Sequence, residues 1–155
     1  MARLLKPLQG AAAARLSQIT EQTLMLWASL PFVWGATDCF LSVLDHAEEA
    51  TGRRYHDRPR YRTAMEANRI LARHGGFQPF CEMVFAKLGL MTTDDPTRGD
   101  IGLVDIPGTG LTACLCLGSS WAARGDGDVT IAQMRSRIAW RVVPAKAGRA
   151  ARCRN

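Results

Sequence analysis

Between Ala11 and Leu30 the apolar residues Leu16, Ile19, Leu26, Trp27 and Leu30 recur at helical spacing. Pro31 ends the pattern, because the residue before a proline is steered out of the helical region. The spacing predicts an amphipathic helix. The segment Pro31-Phe32-Val33-Trp34-Gly35-Ala36 then reads as an aromatic, glycine-containing connection into Thr37-Asp38. Either of the last two can cap a new helix by accepting a hydrogen bond from its free amides. Cys39 falls in the first turn of that helix, which continues through Phe40, Val43, Leu44, Ala47 and Ala50 to a stop at Gly52. A third helix is predicted over Thr63 to His74, ended by Gly75-Gly76, and a short fourth over Pro79 to Leu88, ended by Gly89.

After a polar break from Thr92 to Thr97 the texture changes. Ile101 to Ile106, Leu111 to Leu117, Trp121 to Ala123, Val129 to Ile131 and Ile138 to Val143 are short apolar or alternating runs of strand length. The segments between them, Pro107 to Gly110, Gly118 to Ser120 and Gly125 to Asp128, have turn compositions. Gly125-Asp126-Gly127-Asp128 reads as a turn and not a calcium loop, since the alternating carboxylates and closing glutamate of such a loop are missing. Helices first and a small antiparallel sheet afterwards make an α+β domain.

Composition changes this picture little. A chain of 155 residues, 47% hydrophobic, has room for one domain with a proper core. No stretch approaches the roughly 20 apolar residues needed to span a bilayer, and Arg15, Gln18 and Glu21 interrupt any export signal. Five cysteines, at 39, 81, 114, 116 and 153, lack the spacing of a disulfide scaffold and are read as reduced thiols. The net charge of +6 is uneven: Lys146, Arg149, Arg152 and Arg154 lie in the last dozen residues without an acid. The chain therefore divides into one domain, 1–143, and a basic, flexible tail, 144–155. A second basic cluster, Arg53, Arg54, Arg58, Arg60 and Arg62, is interleaved with Tyr55, His56 and Tyr61 and is a candidate binding segment.

Three short motifs occur in order: Trp34-Gly35-Ala36-Thr37-Asp38-Cys39 at a helix start, Arg98-Gly99-Asp100 leading into Ile101-Gly102-Leu103-Val104, and Leu111 to Leu117 closing in Gly118. With this layout the chain resembles the NlpC-type, papain-like cell-wall peptidases over roughly Leu24 to Val143. With Ala139-Trp140-Arg141-Val142 added, it is most similar to a family of small phage and prophage proteins encoded among tail genes. The resemblance implies a papain-like α+β fold with Cys39 at the nucleophile position. A helix N-terminus favours thiolate over thiol, which makes Cys39 a candidate nucleophile; a small buried hydrophobe at a helix start is the alternative. The catalytic histidine of those peptidases opens the strand after the Gly-Asp strand, and alignment on the closing Leu-Gly places Thr112 there. Threonine cannot accept a proton near neutral pH, so Cys39 would lack its base.

Side chains at alternate strand positions share a face, so Thr112, Cys114 and Cys116 point the same way, in the resembled fold toward the helix carrying Cys39. A Cys-x-Cys pair lacks common zinc spacing, so core packing and no metal is the reading. Trp34, Trp121 and Trp140 are read as core residues rather than a ligand shelf. The expectation is a structural component of a phage tail tip or baseplate hub on a degenerate peptidase fold, without cofactor. Its partners would be other tail and baseplate proteins, reached through the basic tail, the Arg53 to Arg62 segment and the N-terminal helix. It would be made in the host cytoplasm and assembled into the virion tail. The alternative is an active cysteine peptidase or amidase that cuts peptidoglycan stem peptides as a phage enters its host; a weaker third is a nucleic-acid or anionic-surface binder.

Overall fold

The first helix buries a narrow seam, and two of its four buried positions are polar. In the computed structural model, which describes residues 8–125 and 128–146, α1 (Gly10–Ser29) buries Leu16, Thr20, Thr23 and Trp27. The threonine hydroxyls sit in this seam because Thr20 donates back to Leu16 O at 2.7 Å, and Thr23 Oγ1 lies 2.9 Å from both Ile19 O and a ring nitrogen of His46. Leu26 and Leu30, expected on the buried face from their spacing, are 53% and 42% exposed. The seam runs through the threonines instead.

The second helix, α2 (Cys39–Thr51), begins and stops where the sequence predicts. Next comes α3 (Ala64–Arg73), with Thr63 as N-cap accepting from Glu66 N; it has no fully buried residue. Helix α4 (Phe77–Lys87) begins two residues before the predicted start. Pro79 lies in its first turn, where a missing N–H costs nothing because those amides have no intrahelical partner. Among the described residues no helix is long and apolar enough to cross a membrane.

Six antiparallel strands follow: β1 (Met91–Thr92), β2 (Ile101–Ile106), β3 (Gly110–Cys116), β4 (Trp121–Arg124), β5 (Val129–Ala132) and β6 (Ile138–Arg141). Their order in the sheet is β1-β6-β2-β3-β4-β5. The last strand thus returns to lie beside the first long one. The two-residue β1, at the start of the segment read as a polar break, pairs Met91 with Arg141 and Thr92 with Trp140.

One sheet face packs on the helices. Ile101, Leu103, Ala113, Leu115, Ala122 and Trp140 join Phe40, Leu41 and Leu44 of α2 and Phe80 and Phe85 of α4 in the main core. Phe85 meets Trp140 edge-on with centroids 4.7 Å apart, a geometry worth about 0.5–1.5 kcal/mol beyond burial. The other face carries a smaller cluster of Val104, Cys114, Cys116, Trp121, Ala123 and Ala139. Here Gly102 is needed for space: a Cβ would lie 2.8 Å from the Trp121 ring.

This corrects the expected orientation of Cys114 and Cys116, which belong to the outer cluster while Ala113 and Leu115 face the helices. The alternation is right and its phase inverted. Trp121 and Trp140 are buried on opposite faces, as core residues, whereas Trp34 is 40% exposed. In the tail, Ala145 N donates to Ala50 O. Asp126, Gly127 and the tail residues Arg149, Arg152, Cys153 and Arg154 lie outside the described residues.

Candidate functional site

The start of α2 is fixed by an aspartate that satisfies three donors. Asp38 Oδ1 accepts from Leu41 N at 3.0 Å, the N-cap bond, while Oδ2 accepts from Gly35 N at 2.8 Å and from the Tyr61 hydroxyl at 2.5 Å. Of the two capping candidates the aspartate takes the role. Thr37 instead closes the preceding loop, donating to Pro31 O and accepting from Val33 N. Gly35 has φ +79°, and an ideal Cβ there would fall 1.7 Å from Tyr61 O. The backbone of the Tyr61 segment passes where only glycine leaves room. Trp-Gly-x-x-Asp-Cys is thus a loop that presents Cys39 at a helix N-terminus.

Two sets of forces act on the Cys39 sulfur. Its own amide, that of Phe40 and that of Ala113 on β3 reach it and favour thiolate. Burial and the Asp38 carboxylate oppose them and win, pushing the thiol up to about 11 from an ordinary 9.0. The expectation that the helix N-terminus lowers this pKa is therefore corrected. The residue that caps the helix thus adds its charge to the larger effect of burial in holding the neighbouring thiol protonated. Burial likewise pushes Cys114 up to about 12 and Cys81 well above its ordinary value.

Cys39 opens onto a cleft of about 420 Å³. Strand β4 pairs with β3 only from Cys114 to Cys116, so on that side the first half of β3 is left unpaired. Leu111 and Thr112 line the cleft there, with Phe32, Trp34, Tyr61 and Phe77 among the other walls. Cys39 and Thr112 therefore share one cleft. The Thr112 hydroxyl is engaged, donating to Gly110 O at 3.0 Å.

None of the three histidines lines this cleft. His46, two turns further along α2 than Cys39, is buried, with Nδ1 2.9 Å from Thr23 Oγ1 and Nε2 2.9 Å from Gly99 O. A neutral ring donating from Nε2 to the carbonyl and accepting at Nδ1 from the threonine satisfies both contacts. Burial lowers its pKa to about 4. His74 is exposed, its Nδ1 2.9 Å from Ile70 O and its ring edge-on to Phe80. His56 is exposed in the arginine-rich segment. Among the described residues no three His, Cys, Asp or Glu side chains are grouped to hold a metal ion.

The other motifs have structural work. Arg98 reaches back to Ser17 and Glu21 of α1. Gly99, at φ +97°, leaves room for Leu16, whose side chain would lie 2.3 Å from a Cβ. Asp100 and Arg141 form a buried pair, 0% and 3% exposed, with Arg141 Nε donating to Asp100 Oδ2 at 3.0 Å. The same carboxylate accepts from Thr97 N and Val142 N, and Arg141 Nη2 donates to Thr93 Oγ1 and Asp95 O. Arg-Gly-Asp and Trp-Arg-Val are two halves of one junction that ties the start of β2 to the end of β6.

The candidate binding arginines divide. Arg58 bridges Asp45 and Glu48 at 2.7 Å each, and Arg53 donates to Leu88 O. Arg54, Arg60 and Arg62 are exposed. Sequence reasoning did not single out Tyr61, which holds Asp38, or Arg124, which sits in the cleft wall. Tyr61 stands between Arg60 and Arg62 in a segment read for its charge, which gives no sign of the bond to Asp38, and Arg124 closes an apolar run whose pattern shows only a strand.

The fold and site define an α+β domain with a cysteine-containing cleft between the N-terminus of a helix and an uncovered strand edge. The chain belongs to the family described as Domain of unknown function (DUF6950), which matches residues 13–142. No curated protein and no solved structure matches it.

Proposed function

We propose that this protein is a non-catalytic domain of papain-like, NlpC-type ancestry that serves as a structural component of a phage tail tip or baseplate hub. The carrying observation is the cleft itself. A thiol held protonated by burial and by Asp38 shares the cleft with a threonine whose hydroxyl is engaged with Gly110 O, and no histidine is in the wall. Acyl transfer by cysteine needs a thiolate and a base within hydrogen-bond reach. The tail setting comes from the family resemblance of the motifs. An interaction role is supported by exposed Met25, Leu26, Leu30, Val33 and Trp34, which crowd the end of α1 and the loop after it.

The second reading, a peptidase or amidase acting on peptidoglycan stem peptides, is favoured by one feature. The amides of Cys39, Phe40 and Ala113 converge on the sulfur, where an oxyanion would need donors. Incubation of purified cell wall with the protein and with Cys39→Ser separates the two. The structural reading expects no peptide release above the variant's background; release that depends on Cys39 overturns it.

A further inference from the structure

Strand β5 closes the sheet order, with β4 on one side and no strand on the other. Natural edge strands are shielded by charges, prolines or bulges, because a row of unpaired N–H and C=O groups is a template for another strand. The run Val129-Thr130-Ile131-Ala132 contains no charge and no proline, and its valine, threonine and isoleucine all favour strands. Ile131 is 58% exposed.

The hairpin fixes which groups face outward. Gly125 N donates to Asp128 O across the turn, and hydrogen-bonded and non-bonded pairs alternate along an antiparallel ladder. With Arg124 opposite Val129 and Ala123 opposite Thr130, the main chains of Thr130 and Ala132 bond to β4. Those of Val129 and Ile131 turn to the open edge. The β3 side agrees: Leu117 N donates to Ser120 O, so Ala122 bonds to β3 while Trp121 and Ala123 bond to β5. Side chains follow the same alternation. Ile131 lies opposite Ala122 of the main core and Val129 packs on that core, so both point to the helical face; Thr130, opposite Ala123, points to the other.

This edge is complementary to itself. An antiparallel second copy with Thr130 on a two-fold axis sets Val129 opposite Ile131 of the second copy, and Ile131 opposite its Val129. Each of these two pairs exchanges two hydrogen bonds, so every outward N–H and C=O of the strand is satisfied. Each exposed Ile131 gains a β-branched neighbour and Thr130 meets Thr130, both favourable cross-strand pairs. Asp128 falls opposite Ala132, so no like charges meet. Registers displaced by two residues leave only one bonded pair within the strand.

We propose that the protein forms a two-fold dimer through β5, joining two six-stranded sheets into one continuous sheet with the helices of both copies on the same side. This contact lies beyond the structural reading above and forms whether or not Cys39 reacts, which the cell-wall assay decides separately. One short strand from each copy makes a small interface, with a dissociation constant on the order of 10–100 µM.

Sedimentation velocity of the full chain in reducing buffer, run from about a tenth of that constant to about ten times it, should show the average mass rising toward twice that of the chain. Thr130→Lys and Thr130→Glu each set like charges against each other on the axis and should each weaken the dimer about tenfold. An equimolar mixture of the two should associate at least as tightly as the wild type, because lysine then meets glutamate. Thr130 is exposed and its main-chain bonds to β4 remain, so both variants should keep the wild-type circular dichroism. Ile131→Lys, which removes an apolar pair on each side of the axis, should abolish the dimer. A chain that stays monomeric throughout overturns the proposal and gives the edge to a strand of another protein. A dimer untouched by Thr130→Lys and Ile131→Lys, or a mixture that associates no better than its components, overturns it as well.

Discussion

Replacing Arg141 by methionine isolates the junction that ties β2 to β6. The substitution keeps the bulk of the stem but removes the donors to Asp100 Oδ2, Thr93 Oγ1 and Asp95 O, leaving a carboxylate of 0% exposure with the amides of Thr97 and Val142 and a long contact, 3.4 Å, from the Thr97 hydroxyl. Breaking a buried ion pair by deleting one partner costs about 3–5 kcal/mol, a large share of the roughly 5–15 kcal/mol that holds a domain folded. Arg141→Lys keeps the charge and loses the planar fork, and should cost less, about 1–3 kcal/mol. Urea unfolding, followed by tryptophan fluorescence and far-ultraviolet circular dichroism together, reads both as shifts of the midpoint at unchanged slope. The double variant Asp100→Leu with Arg141→Met removes the lone charge but leaves the amides of Thr97 and Val142 without acceptors, so it should recover only part of the loss. A cost below about 1 kcal/mol for Arg141→Met, in the range of exposed pairs, would refute the reasoning.

Two further outcomes follow from the same geometry. His46 has its pKa lowered to about 4 from an ordinary 6.5, so its contribution is fully present above pH 6.5 and is lost as pH falls through 4. Between pH 7.5 and 4.5 this amounts to about 2–3 kcal/mol, measurable as the difference in urea stability between the wild type and His46→Gln at the two values; equal pH dependence in both would count against it. Gly35→Ala combines a positive φ with a Cβ placed 1.7 Å from Tyr61 O, and should destabilise by about 2 kcal/mol or more in the same assay.

Most of the fold was legible where local chemistry acts alone. Asp38 and Thr63 announce helix starts and Gly52 a stop, because caps are read from single residues. The α1 seam was misread because Thr20 hides its hydroxyl on Leu16 O and Thr23 its own between Ile19 O and His46 Nδ1, so both pass as buried residues. Strand β1 is too short to show a period, and the place of β6 beside β2 is set by the Asp100–Arg141 pair, 41 residues apart in sequence. Alternation put Thr112, Cys114 and Cys116 on one face but could not say which face the helices cover. The candidate site was legible as far as Cys39 and Thr112 sharing a cleft. That the sulfur is held as a thiol was not, since the helix terminus visible in the sequence is outweighed by burial and by the adjacent carboxylate.

The protonation of Cys39 decides most directly between a non-catalytic and a catalytic cleft. Alkylation by iodoacetamide, quantified at that residue by mass spectrometry from pH 6 to 11 with Cys39→Ser as control, measures it. With the thiol pushed up to about 11, the rate at pH 7 should lie about ten- to a hundredfold below that of a free cysteine and climb throughout the range. In Asp38→Asn, which leaves the larger effect of burial but removes the smaller one of the carboxylate charge, the climb should begin at lower pH. Rapid, selective labelling of Cys39 at pH 7 with a plateau below pH 8 would contradict the account.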